Sequence, residues 1–211
     1  MKKAFPYRLY LVISEQSCLH HNYIHVAERA ISGGVDIVQL REKNATTSAF
    51  IEKALRLQDV LHKHNVPLII NDNLEVAQKV NAYGIHVGNN DVKPSFIHSV
   101  WKECKSIGYS IEYLEQLQNE ETKLADCLGI SPVFNTTTKT DTITEWGLEG
   151  IRKIRTLSDK PLIAIGNMNA YTTYSAIKAG ADCIAVVSAI CGAQNPMKAA
   201  FEIKNQIEKA L

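Results

Sequence analysis

Short runs of apolar, largely β-branched residues alternate with longer amphipathic stretches along the whole chain. The strand-like runs are Arg8–Ile13, Asp36–Arg41, Pro67–Asn71, Gly84–Val87, Ser106–Ile111, Cys127–Phe134, Pro161–Gly166 and Cys183–Ser188. Helical periodicity is clearest over Ala49–His64, Leu148–Leu157, Tyr171–Ala179 and Pro196–Leu211. In the first of these, Ile51, Ala54, Leu55, Leu57, Val60 and Leu61 form the broad stripe of a helix packed on a sheet. Leu74–Val80 and Tyr113–Asn119 are shorter patterns of the same kind. Leu68-Ile69-Ile70 and Ala185-Val186-Val187 are continuous apolar runs, as in strands covered by helices on both faces. Ser32-Gly33-Gly34-Val35-Asp36 and Lys178-Ala179-Gly180-Ala181-Asp182 share one form, a glycine cap closing a helix before an apolar strand. Asn81-Ala82-Tyr83-Gly84 is a looser version. Eight strand–helix units with no linker between them predict an α/β fold, a single-domain (β/α)8 TIM barrel over residues 1–211. A doubly wound open sheet would normally carry Gly-x-Gly-x-x-Gly after an early strand, and none is present.

Composition narrows the function. A chain of 211 residues can bury a core without disulfides or a structural metal. Lys plus Arg is 23 against 22 for Asp plus Glu, so no global positive field exists to hold nucleic acid or an anionic membrane. Any bound anion must be gripped by a local cluster. The most apolar window, Cys183 to Ala193, covers about half of the roughly 20 residues that span a bilayer. Arg8 interrupts the run after Lys2-Lys3, which argues against a signal peptide. Cys18, Cys104, Cys127, Cys183 and Cys191 form no Cys-x-x-Cys pair and read as buried free thiols in a reducing compartment. A cytoplasmic protein is expected.

Polar residues gather where the strand patterns end. Gln39, Arg41 and Lys43 close the second strand, and Asn71 and Asp72 the third. Asp91 follows the fourth, Ser110 sits near the end of the fifth, and Thr136-Thr137-Thr138-Lys139 follows the sixth. Gly166-Asn167 ends the seventh and Ser188 the eighth. In a barrel these ends share one face, where active sites of the fold are built. Arg41, Lys43 and Lys139 would place three cations around one cavity, enough for a polyphosphate. Asp72 and Asp91 would add two hard oxygen ligands suited to Mg²⁺ shared with substrate phosphates. The small residues Gly166 and Val187-Ser188-Ala189 suit a monophosphate, because loops after strands seven and eight commonly hold one.

Each residue also has a plainer reading. Asp91 fits a solvated Asn89-Asn90-Asp91 turn, and Asp72 fits a cap on the helix near Leu74. Ser110 is readable as a structural hydroxyl with no histidine expected beside it, and His86, inside a strand, as a core residue. His20-His21 and His62-x-His64 read as exposed helix positions. The joint placement at strand ends is what favours an enzyme.

The residues also resemble a known family. Val38-Gln39-Leu40-Arg41-Glu42-Lys43, Leu68-Ile69-Ile70-Asn71-Asp72 and Gly84-Ile85-His86-Val87-Gly88 followed by Asp91 are similar to thiamine phosphate synthases. So are Ile107-Gly108-Tyr109-Ser110, Pro132-Val133-Phe134 leading into Thr136–Lys139, Ile163-Ala164-Ile165-Gly166, and Ala185-Val186-Val187-Ser188. The resemblance covers nearly the whole chain. It implies a transferase joining hydroxymethylpyrimidine diphosphate to a thiazole phosphate (or its carboxylated form), with release of diphosphate. By matching position, Gln39, Leu40, Arg41, Glu42, Lys43, Asn71, Ser110 and Lys139 would hold the pyrimidine diphosphate. Lys139, Ser110, Arg41 and Lys43 would be the catalytic group, and Asp72 and Asp91 would hold Mg²⁺. Thr136, Thr137, Thr138, Gly166, Val187 and Ser188 would hold the thiazole phosphate. The implied partners are these small molecules, not nucleic acid or membrane, with room for a homo-oligomer.

The chain departs from the family pattern at four places. Asn89-Asn90 stands before Asp91 where Gln-Glu is usual, and Ser131 and Asn167 replace glycines. Asparagine tolerates a left-handed backbone better than most residues, so an N–H donor can survive at Asn167. Glu112 stands where a histidine is usual. Two other readings stay open, a thiazole tautomerase of the same superfamily and a non-catalytic phosphate-binding regulator. The complete set Arg41, Lys43, Asn71, Asp72 and Lys139 favours the synthase over both.

Overall fold

A computed structural model describes residues 5–136 and 144–211. Eight parallel strands close on themselves: β1 Leu9–Ile13, β2 Ile37–Leu40, β3 Leu68–Asn71, β4 Gly84–Val87, β5 Ser106–Ile111, β6 Cys127–Ile130, β7 Leu162–Ala164 and β8 Cys183–Val186. Each pairs with the next, and β8 pairs with β1 through Leu9–Ile184 and Tyr10–Ala185. The helices are α1 Tyr23–Ser32, α2 Thr47–Lys63, α3 Leu74–Lys79, α4 Pro94–Val100, α5 Glu120–Leu124, α6 Gly147–Leu157, α7 Ala170–Lys178, α8 Ser188–Cys191 and α9 Pro196–Ala210. The barrel expectation holds.

Local details correct the sequence reading. β6 stops at Ile130, short of the run to Phe134, and β8 stops at Val186, because α8 begins at Ser188. Tyr113–Asn119 is a 3-10 turn over Leu114–Gln118. The hydrophobic pattern marks α1 only by its glycine cap and does not mark α4. Their starts are set by Asn22, whose side chain accepts from the His25 N–H, and by Pro94 at the first turn. Asn81 takes the left-handed φ of 48° after α3, which explains the looser phrase there.

Strand alternation divides the core in two. Leu9, Leu11, Ile13, Val38, Leu40, Leu68, Ile70, Ile85 and Ile107 face outward into the helix layer. Tyr10, Val12, Ile37, Ile69, Cys127, Ile163, Cys183 and Ala185 fill the barrel interior. The aspartates of the repeated glycine phrases tie the opposite face. Asp36 Oδ2 accepts from the Leu9 N–H at 2.8 Å and Asp182 Oδ2 from the Leu162 N–H at 2.8 Å. Asp126 Oδ2 does the same for Ile107 at 2.8 Å. Each carboxylate caps a backbone N–H in the first two residues of a neighbouring strand, so that end of the barrel is used for stability.

Candidate active site

A cavity of about 190 Å³ opens at the carboxyl ends of the strands. Gln39, Arg41 and Lys43 line it from β2 and its loop, Asn71 and Asp72 from β3, Asp91 from the loop after β4 and Ser110 from β5. Thr136, Gly166, Val187 and Ser188 complete the wall. Gln39 is buried, and its amide donates to the Tyr10 hydroxyl at 3.0 Å, so its orientation is fixed from within the barrel.

Two predicted residues lie elsewhere. Leu40 is buried in the outer core, because its neighbour Gln39 takes the inward parity and alternation turns Leu40 toward the helices. Its side chain does not touch the cavity. Glu42 pairs with Lys53 at 2.9 Å and accepts the Glu15 N–H at 2.7 Å. It lines a neighbouring cavity of about 220 Å³ that shares Arg41 and Lys43. Thr137, Thr138 and Lys139 lie outside the described residues.

Asp72 and Asp91 reach the cavity by different local devices. Asp72 sits just past β3 with a left-handed φ of 61°, and its N–H donates to the His86 carbonyl at 2.8 Å. Aspartate tolerates that backbone better than most residues. Asp91 closes a tight turn, with Oδ2 accepting the Gly88 N–H at 2.7 Å. The two carboxyls come within hydrogen-bonding reach of each other. Burial first, and then the Asp91 charge, push the Asp72 carboxyl up to about 6, while Asn71 and Lys43 oppose the shift. Two hard oxygen donors facing each other in a half-buried pocket fit a divalent cation, whose charge would relieve their repulsion.

The departures at Asn89 and Glu112 meet in space. Asn89 Nδ2 donates to Glu112 Oε2 at 2.7 Å, while Asn89 Oδ1 accepts from Tyr109 Oη at 2.7 Å and from Gln116 Nε2. Gln116 Oε1 in turn accepts the Glu112 N–H at 2.7 Å. Thr144 donates to the Glu112 carbonyl at 2.8 Å. The turn presenting Asp91 is thus bolted to β5 and to the segment leading into α6. Asn167 has φ 50°, as its residue type allows. Gly166 needs its φ of 103°, and an added Cβ would stand 2.6 Å from Pro132 Cβ.

His86 corrects the expectation for Ser110. Its Nε2 lies 3.0 Å from Ser110 Oγ, both are buried, and both line the cavity. The missed signal was register: His86 pairs with Gly108, so period-two counting puts His86 and Ser110 on the same inward face.

Comparison with known proteins agrees with the barrel and shows the family. The profile of a family described as thiamine monophosphate synthase matches residues 9–190. A thiamine-phosphate synthase of Albidiferax ferrireducens is 41% identical over 95% of this chain and 92% of its own. One from Leptospira biflexa is 40% identical, covering 94% and 96%. A solved thiamine phosphate pyrophosphorylase from Pyrococcus furiosus superposes with a TM-score of 0.88 at 30% identity, covering 98% of each chain.

Proposed function

We propose, given that the chain belongs to the thiamine monophosphate synthase family and is a transferase, that its cavity couples a hydroxymethylpyrimidine diphosphate with a thiazole phosphate. The observation that carries this reading is the facing pair Asp72 and Asp91 in one cavity with Arg41 and Lys43. On this reading Asp72 and Asp91 hold Mg²⁺, which when bound supplies positive charge to the departing diphosphate. Arg41 and Lys43 grip the same diphosphate, with Lys139 expected to join them. Gln39, Asn71 and Ser110 hold the pyrimidine end. Thr136, Gly166, Val187 and Ser188 hold the thiazole phosphate, together with Thr137 and Thr138.

The reaction then needs little proton chemistry. The pyrimidine-methyl C–O bond breaks first, its electron pair leaving on diphosphate, and the thiazole nitrogen attacks the resulting carbocation to form the C–N bond. The site contributes orientation and charge stabilisation instead of a strong base. Ser110 acts here as a hydrogen-bonding group fixed by His86 and not as a nucleophile.

An assay with both substrates, with and without Mg²⁺, tests the proposal. Formation of thiamine phosphate and diphosphate in equal amounts, only with metal, is expected. Binding of either substrate without product would favour the phosphate-binding regulator.

A further inference from the structure

Two of the five cysteines meet beside the cavity. Cys18 lies in the loop between β1 and α1, and Cys191 is the last residue of α8. The Leu19 N–H donates to the Cys191 carbonyl at 3.4 Å, which holds the two chain segments side by side. The two thiols lie close enough to perturb each other's ionisation. Cys191 Sγ is buried 3.7 Å from the Val12 carbonyl, whereas Cys18 is half-buried and packs on the core edge. A disulfide bridges Cα atoms roughly 4.4–6.8 Å apart, which requires two segments lying side by side as these do.

We propose that Cys18 and Cys191 form a redox-sensitive dithiol that closes to an intrachain disulfide between the β1–α1 loop and α8. The bond would reach the cavity wall, since α8 begins at Ser188. The two sulfurs have unequal roles. The interaction with Cys191 holds the Cys18 thiol below its ordinary range and raises the Cys191 thiol above its own, although burial and the Glu42 and Glu15 charges act against ionisation of Cys18. Cys18 is therefore the attacking sulfur and Cys191 the resolving one.

With a small-molecule disulfide as oxidant, the Cys18 thiolate attacks one oxidant sulfur, breaking its S–S bond and releasing one thiol. Cys191 then loses its proton and attacks the Cys18 sulfur of the mixed disulfide, releasing the second thiol. The protein loses two protons and two electrons, and the oxidant takes them up to become two thiols. The other cysteines are poorer candidates. Cys127 and Cys183 are buried in the barrel interior, where burial pushes the Cys183 thiol well up, and Cys104 donates to the Ser106 carbonyl at 3.5 Å.

The test is incubation of the full-length protein with glutathione disulfide, followed by alkylation and non-reducing peptide mass mapping. Wild type should yield a Cys18–Cys191 linked peptide and no glutathione retained on Cys18. Cys191→Ser should retain glutathione on Cys18, and Cys18→Ser should give neither product at Cys191. Wild type that stays reduced at both residues, or that keeps glutathione on Cys18, would overturn the proposal. So would linkage of either cysteine to a different partner. None of these readouts depends on the coupling reaction, so the dithiol and the proposed activity fail independently.

Discussion

The imidazole of His86 meets the Ser110 hydroxyl at 3.0 Å inside the barrel, in a slot cleared by two glycines. A Cβ on Gly129 would lie 2.9 Å from His86 Cε1, and one on Gly108 would overlap Nδ1 outright. The ring fills the space that those side chains would occupy, and it fixes the hydroxyl that lines the cavity. Gly108→Ala should therefore push the ring aside. Stability should fall by about 1–3 kcal/mol, the usual cost of overpacking. The coupling rate should fall at least about tenfold as Ser110 loses its partner. Urea melts and steady-state kinetics check both, and a Gly108→Ala variant with wild-type rates would remove Ser110 from the binding set.

Metal dependence follows from the carboxylate pair. EDTA should abolish product formation. Asp72→Ala should weaken Mg²⁺ by more than the roughly 10–100-fold that loss of an outer partner costs, because it removes a direct ligand. Mn²⁺ binding followed by paramagnetic resonance gives a readout separate from turnover. Full activity of a metal-stripped sample in EDTA would sink the assignment of Asp72 and Asp91 as ligands.

The same pair sets a pH signature in the metal-free protein. Folding raises the Asp72 carboxyl from near 3.8 to about 6, so the folded state prefers its neutral form. A carboxyl raised in this way contributes stability that is complete below the unfolded value and is lost as pH climbs through the folded one. Between about pH 4 and 6.5 this group's contribution should decline, by on the order of 1–3 kcal/mol. Asp72→Asn should flatten that decline and make the metal-free protein more stable than wild type at pH 7.5. Thermal melts of both proteins across this range, in EDTA, measure the difference. A wild-type curve indistinguishable from Asp72→Asn would mean that Asp72 is not under strain.

Much of this architecture was legible in the sequence because two periodicities dominate it. Continuous apolar runs such as Leu68-Ile69-Ile70 and glycine-closed helices such as the one ending before Val35 mark parallel strands and their crossovers. The cavity followed, since every strand of a barrel delivers its carboxyl end to one face. What stayed hidden depends on register between strands, which no single segment encodes. The contact of His86 with Ser110 needs the β4–β5 pairing, and the contact of Cys18 with Cys191 needs the barrel to close. Leu40 shows a different limit. A motif such as Gln39–Lys43 is contiguous in sequence, but alternation sends its members to opposite sides of the sheet.

Glu112 separates the synthase from a tautomerase. A tautomerase needs a general acid or base within hydrogen-bond reach of the migrating proton, with a pKa near the working pH. A glutamate meets that condition only when burial raises it strongly. Glu112 instead spends one carboxylate oxygen on the Asn89 amide, and its backbone N–H and carbonyl are tied to Gln116 and Thr144. These bonds hold the turn that presents Asp91. Glutamine keeps an acceptor oxygen of the same reach, so Glu112→Gln should retain most coupling activity. Glu112→Ala removes the acceptor and leaves the Asn89 amide without it, at a cost of about 1–3 kcal/mol if the group stays dry. The Asp91 turn should then loosen, and the Mg²⁺ concentration giving half-maximal rate should rise several-fold. Wild type should show no isomerisation of an aminothiazole carboxylate. Measured isomerisation that disappears in Glu112→Gln would show Glu112 moving a proton and would reverse the ranking of the two enzymes.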